Sequence, residues 1–430
     1  MPAFNILIVG GGLGGLVTAL ALSLKGHKVT VLESTSKLQT IGGGISIQPN
    51  AMRVLDTFTP TLLETVKAAG EVQGEKPMTF WRYNGEFVFE MGTRGSFYDY
   101  PAMNIHRANL QKVLLDEATK AGAVVHTNAR VEKIDDSGDS PIAYTVDGRR
   151  WEADLIVGAD GVKSTVRNMM YPDIKLQSYT NTYRGMIPGP LMRADPELAP
   201  LLEKPRIYWG PHRMVIGIPV QKGAMYSLEC NHPGDTGTAG EWNKKGDFKL
   251  FLDTYSDFEP MIKKAMTRVI PDSLLVWKLV QLPELESWSW QSGKVVLTAD
   301  AAHAVTPFAA QGHAMAIEDG AALAECLARA KSTSEIPQVL KAFETIRKPR
   351  VHHIGALSQR NEHLWQLPDG EEQRKRDEGM RNIPMGAAPA WDRKHVDETP
   401  GFPPDPRFWP WLYGHDVIDF TNRRLDELLK

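Results

Sequence analysis

The stretch NILIVGGGLGGLVTALALSLKGHKVTVLES, residues 5–34, constrains this chain more than any other. A short apolar run rich in β-branched residues meets Gly10-x-Gly12-x-x-Gly15, and a second apolar run of helical length continues to Gly26. The pattern predicts a buried strand, a tight turn and a helix opened by Leu13, then a second strand over 27–34, together a βαβ unit. Glycines at these positions let the backbone turn sharply and approach a pyrophosphate. The helix start adds free N–H groups and the positive end of a dipole. Glu33, closing the second strand, suits a carboxylate that accepts hydrogen bonds from ribose hydroxyls, which disfavours a 2′-phosphate. FAD or NAD is therefore expected in this site rather than NADP.

Other readings of the same residues fit less well. The run lacks the basic leader of a signal peptide, and its glycines interrupt any membrane span. The segment FTNRRLDELLK near the C-terminus is too charged to anchor in a bilayer. Charged residues make up 23% of the chain and the formal net charge is -3, so no nucleic-acid partner is expected. Cys230 and Cys326 form no CxxC pair or disulfide framework, which favours a reducing compartment. A cytoplasmic protein without a membrane partner is expected.

Farther along, IHRANLQKVLLDEA (105–118) repeats apolar residues at helical spacing, and ADLIVGAD (153–160) reads as a buried strand ending at a glycine turn. Between about 176 and 276 the runs RIYWG, RMVIGIPV and AMYSLECN predict an antiparallel sheet. KVVLTAD (294–300) returns to the buried-strand type, and a helix rich in small residues follows from about 312. The expected fold class is α/β. A Rossmann-like dinucleotide domain (1–175 and 277–350) is split by a substrate-binding sheet domain (176–276). A C-terminal helix and wrapping tail (351–430) complete the chain, with PGFPPDPRFWPWLYG read as a surface wrap.

DLIVGADGVKSTVR and LTADAAHAVTPFAAQG join the N-terminal glycine turn in an order that resembles the three fingerprints of the single-component FAD-dependent aromatic monooxygenases. The likeness extends over about residues 4–350. It is nearest to their salicylate hydroxylase-like branch, with a para-hydroxybenzoate hydroxylase-like fold. The resemblance implies FAD as cofactor and NADH or NADPH as transient co-substrate. It assigns Asp300 to FAD hydroxyls, Arg107 to the pyrophosphate, and Asp160 with Gly161 to a motif serving both coenzymes. Gly42, Gly43 and Gly44 match the segment passing the flavin, with Gln48 beyond it as a substrate candidate. Pro307 and Phe308 border the flavin face, and the helix turn Gly312-His313-Ala314 points N–H groups at the flavin pyrimidine edge. Arg347 and Arg350 match a structural helix. The family has Gly-Asp where this chain has Ala299-Asp300, a change tolerated unless φ is positive.

A metal is the competing reading of ADAAHAVTPFAAQGHAMAIEDG (299–320), but neither H-x-x-x-H nor H-E-x-x-H spacing is present, and none is expected. His303 is read as a packing or hydrogen-bonding residue. The resemblance implies reduction of FAD by NAD(P)H, addition of O₂ to give a C4a-hydroperoxide, and oxygen transfer to an electron-rich ring. Arg184 matches a substrate-positioning arginine, and Tyr208 and Tyr226 are further substrate candidates. The favoured activity is hydroxylation of a phenolic or aromatic acid, with or without decarboxylation, by a monomer or homodimer. The alternatives are a tailoring hydroxylase or epoxidase of a larger alkaloid, polyketide or terpenoid, and a non-catalytic FAD-binding protein.

Overall fold

The computed structural model describes residues 2–38, 44–73, 77–91, 98–234, 237, 244–382, 391, 393–394 and 396–430. Gly42 and Gly43 lie outside them.

A five-stranded parallel sheet carries the strands Val295–Leu297, Leu155–Gly158, Asn5–Val9, Lys28–Leu32 and Val124–His126, in that spatial order. Its strands are largely apolar and buried, as suits a parallel sheet, with Asn5, Lys28 and Val124 exposed where three of them begin. The first strand feeds the helix Leu13–Leu24, which crosses to the strand Lys28–Leu32 beside it. That helix packs against the helix Gly312–Leu327, where Gly320 lies close to the Thr18 backbone and a Cβ would meet it at 3.1 Å.

A second sheet has seven strands, in the order Leu275–Gln281, Gln177–Pro188, Met225–His232, Arg213–Val220, Arg206–Gly210, Met78–Arg82 and Phe87–Met91. It corrects the expectation of a purely antiparallel sheet confined to 176–276. Arg206–Gly210 pairs in parallel with Met78–Arg82, so an earlier stretch of the chain joins the sheet, and its last strand runs on to Gln281. Alternation along the strands gives this sheet two faces. Tyr183, Tyr208, Val215, Tyr226, Leu228 and Cys230 pack on one side against the helices around Phe251 and Ile262. Thr180, Thr182, Arg184, Ser227 and Glu229 have the opposite parity and look the other way.

The tail is a second correction. Phe408, Trp411, Leu412 and Val417 join the main core, and the Trp411 and Leu412 carbonyls accept hydrogen bonds from Arg350 at 2.8 and 2.9 Å. The aromatic half of the segment is buried, because its rings supply apolar area that a surface strap would leave wet, whereas Gly401, Pro404, Pro406 and Arg407 before it are exposed.

Candidate active site

The turn after the first strand explains its glycines. Gly10 has φ +109°, and a Cβ on Gly15 would stand 1.9 Å from the Gly10 carbonyl oxygen. Gly12 caps the Leu13–Leu24 helix with no side-chain hydrogen bond, and nothing lies within 4 Å of where its Cβ would be. Leu13 turns its side chain into the core. Glu33 accepts hydrogen bonds from the backbone N–H groups of Gly11 at 2.8 Å and Thr35 at 2.7 Å.

The Gly312–Leu327 helix begins in the same way. Its cap, Gln311, makes no capping bond, and a Cβ on Gly312 would meet nothing within 4 Å. Burial, aided by the charge of Arg107, pushes the His313 imidazole down to about 3, so it is neutral at physiological pH. Arg107 starts the helix Arg107–Lys120, where Gly44 faces His106 across paired strands. Its Nε is buried without a hydrogen-bond partner. Burial lowers the Arg107 pKa, with Asp300 opposing and Arg184 reinforcing the shift. Arg107 therefore lies within electrostatic reach of Asp300, Arg184 and His313, which come from three other stretches of the chain.

Arg184 sits on the site face of its strand, with Nη2 3.5 Å from Oε1 of the half-buried Glu229 and with Nε unpartnered. Pro307 is exposed on a short turn, whereas Phe308 is buried against Trp209, Met214 and Phe80 and meets Trp365 edge-on at 6.2 Å. Phe308 is thus a core residue beneath the turn, and, against expectation, its ring does not border the site. Gln48 caps the helix Pro49–Phe58, and from that helix Asn50 reaches Gln311 and Glu318 at 3.1 and 2.7 Å.

Three further expectations change. Tyr208 and Tyr226 are fully buried on the helix-covered face, opposite to Arg184, and burial pushes both phenols upward. They are core residues: the Tyr226 ring fills the space beside Gly217, where a Cβ would lie 1.9 Å from its hydroxyl. Asp160 directs its carboxylate to the helix Thr165–Met170, accepting from the Ser164 hydroxyl and from the Thr165 and Val166 N–H groups at 2.7 and 3.2 Å. That side chain shapes the turn before the helix Thr165–Met170. Ala299 has φ +53° and ψ -143°, so the one departure from the Gly-Asp pattern does carry backbone strain.

The acidic pair closing the histidine stretch has a structural role. Glu318 and Asp319 are fully buried. Asp319 meets His303 Nε2 at 2.5 Å, Arg347 Nε at 2.9 Å and the Ala299 N–H at 3.1 Å. Glu318 takes Arg350 through both oxygens at 2.8 and 2.9 Å, and Arg347 at 2.9 Å. These bonds occupy the carboxylates and brace the Gly312 helix from behind. A pair of acids followed by two arginines on a later helix was the available signal.

Two glycine-opened helix starts, a buried arginine with an unpartnered Nε and an acid beside it suit a flavin dinucleotide, whose phosphates and pyrimidine edge need such donors. Parallel sheet, paired helix starts and a facing second sheet together define a flavin-binding oxidoreductase. The chain belongs to the FAD binding domain family, whose model matches residues 3–194 and 266–358. It is 29% identical over 426 residues to the FAD-dependent monooxygenase OpS4 of Beauveria bassiana, covering 96% of this chain and 95% of that one. It is 31% identical to the FAD-dependent monooxygenase atnJ of Arthrinium sp, over 95% of this chain and 93% of the other. Salicylate hydroxylase of Pseudomonas putida is 27% identical over 86% of this chain and 87% of its own. Among solved structures, CtdE in complex with FAD and a substrate superposes with a TM-score of 0.84 at 22% identity, covering 99% and 98% of the two chains. The protein is an FAD-dependent monooxygenase of the single-component flavoprotein class. Among the described residues no helix is long and apolar enough to cross a membrane.

Proposed function

We propose that the protein hydroxylates a phenolic or otherwise electron-rich aromatic small molecule at the expense of NAD(P)H and O₂. The observation that carries this reading is the convergence of Arg107, Asp300 and His313 with Arg184 of the facing sheet. On this reading Arg184 would bring a cation from the second sheet toward the cofactor-binding helix starts. Bound FAD would accept a hydride from NAD(P)H and activate O₂ for transfer of one oxygen atom to the ring. The first-turn N–H groups at Gly12–Leu13 would hold its pyrophosphate with Arg107, and Glu33 a ribose. The N–H groups at Gly312, His313 and Ala314 would favour negative charge on the flavin pyrimidine edge. Neutral His313 adds no competing charge there. Arg184 would orient the substrate, through a carboxylate or phenolate, while Pro307 excludes water.

The experiment is FAD reconstitution followed by NAD(P)H oxidation with and without salicylate-type acids. Stimulation by the acids supports the reading, and a flavin spectrum and turnover indifferent to them refutes it. A larger tailoring substrate is the second reading, favoured by the length of the site face. Thr180 and Arg184 are four residues apart on one strand, a span of about 13 Å, longer than one benzene ring. Bulky alkaloids or polyketides in the same assay separate the two.

A further inference from the structure

The long helix Ile336–Trp365 ends against the Pro307 turn. Ser358 donates to the Thr306 carbonyl at 2.6 Å, Asn361 donates to the Phe308 carbonyl at 2.9 Å, and Trp365 packs on the Phe308 ring. The next residue after Asn361 is Glu362. Its Oε1 accepts a hydrogen bond from the Thr180 hydroxyl at 2.5 Å, across to the sheet face that carries Arg184. No basic side chain among the described residues forms an ion pair with Glu362. Burial raises its carboxyl pKa, with the Thr180 and Thr306 hydroxyls opposing the shift. On its outer side Glu362 lines a cavity of about 250 Å³ together with Thr180, His212, His363 and Gln366. A half-buried carboxylate held by threonine hydroxyls, with no cation paired to it among the described residues, therefore stands between a cavity and the turn that carries Pro307.

We propose that Glu362 is a catalytic residue that accepts the hydrogen bond of the substrate's ring hydroxyl and takes its proton as the ring is hydroxylated. This rests on the phenol hydroxylation proposed above. The phenol O–H bond breaks, the proton passes to a Glu362 oxygen, and the electron pair stays on the substrate to enrich the ring carbon under attack. That carbon forms a C–O bond to one atom of O₂ and then loses its own hydrogen as a proton, which restores the ring. NAD(P)H supplies two electrons, the second oxygen atom leaves as water, and Glu362 returns its proton to solvent through the outer cavity. Arg184 and Glu229 lie farther along the same sheet face, and His212 and His363 flank the cavity, so these are the charged and titratable neighbours that modulate the carboxyl.

The test uses FAD-loaded protein and four probes, salicylate, 3-hydroxybenzoate, 3-amino-4-hydroxybenzoate and hispidin, each beside its O-methyl ether. Perturbation of the flavin spectrum gives affinity, and the pH profile of stimulated NAD(P)H oxidation gives the base. In wild-type protein a phenol binds better than its ether and the profile has an acid limb. Glu362→Gln should weaken the phenol about tenfold, the loss expected for a hydrogen bond to a charged group. It should leave the ether unchanged and flatten the acid limb. Glu362→Asp and Thr180→Val should keep the limb, because both retain the carboxylate. If Glu362→Gln yields no FAD-loaded protein, Glu362→Met is read in its place. A variant without the carboxylate that keeps both the phenol preference and the acid limb overturns the role of Glu362 and leaves the proposed function standing. Wild-type protein that responds to no probe removes both.

Discussion

Replacing Glu318 by Gln should destabilise the protein by about 3–5 kcal/mol. Glu318 is 0% exposed, and its partners Arg347 and Arg350 are 1% and 4% exposed, so water cannot take the place of the lost charge. The amide keeps one acceptor oxygen but turns N–H groups toward guanidinium donors. Removing one member of a buried charge cluster costs about 3–5 kcal/mol, because the others are left buried and uncompensated. For 430 residues the unfolding entropy is roughly 0.9 kcal/mol/K. The melting temperature should therefore fall by about 4 °C, measured by calorimetry on the FAD-free protein. Because Asn50 links this carboxylate to Gln311 at the helix start, FAD affinity should fall too. The pH dependence gives a second check. Burial alone would raise the Glu318 carboxyl, but Arg350 and Arg347 outweigh it and hold it below the ordinary glutamate range. A depressed folded pKa contributes stability above the unfolded value of about 4.3 and loses it as pH falls. The gap between wild type and Glu318→Gln should thus narrow on acidification below that value. An unchanged melting temperature at neutral pH would refute the reasoning.

Other predictions follow from the same geometry. Gly15→Ala should fail to give folded protein, since its methyl would meet the Gly10 carbonyl at 1.9 Å, whereas Gly12→Ala should fold and melt like wild type yet bind FAD at least about tenfold more weakly. Equilibrium dialysis and a thermal melt separate these outcomes. Arg107→Met should lower FAD affinity by roughly 10- to 100-fold without lowering the FAD-free melting temperature, because its buried Nε has no protein partner. Ala299→Gly should stabilise the protein by up to about 1 kcal/mol, the strain relieved at positive φ less the extra freedom of the unfolded chain, and Ala299→Val should destabilise it; chemical denaturation measures both.

Legibility from sequence followed how local the signal was. The glycine turn, the strand before it and Glu33 lie within thirty-odd residues and each has its own turn or helix chemistry, so they could be read directly. Asp300 and the Gly312 helix start were found through motif resemblance, and Ala299 was recognised as a departure whose cost depended on a φ that only coordinates give. The sheet was harder. Period-2 alternation says that Tyr183 and Arg184 face opposite ways, but cross-strand register decides which face Tyr208 and Tyr226 share, and they fall with Tyr183. The parallel pairing of Arg206–Gly210 with Met78–Arg82 joins residues more than a hundred positions apart, beyond any local pattern. Nothing local marks Glu318 and Asp319 as buried, because their partners Arg347 and Arg350 stand on a later helix. Glu362 stands in a polar helical run, RNEHLWQ, with no motif around it. The aromatic tail read as a wrap because its prolines are conspicuous and its burial is set by partners elsewhere.

The central claim, that FAD here drives oxygen transfer to an aromatic ring, is tested most directly by isotope. FAD-loaded protein is turned over with NADH or NADPH and salicylate-type acids under ¹⁸O₂, and the products are weighed by mass spectrometry. The account predicts acid-stimulated coenzyme oxidation and a ring product carrying a single ¹⁸O atom. Yellow protein whose flavin neither coenzyme reduces, with no labelled product from any acid or from the bulkier aromatics, would contradict it.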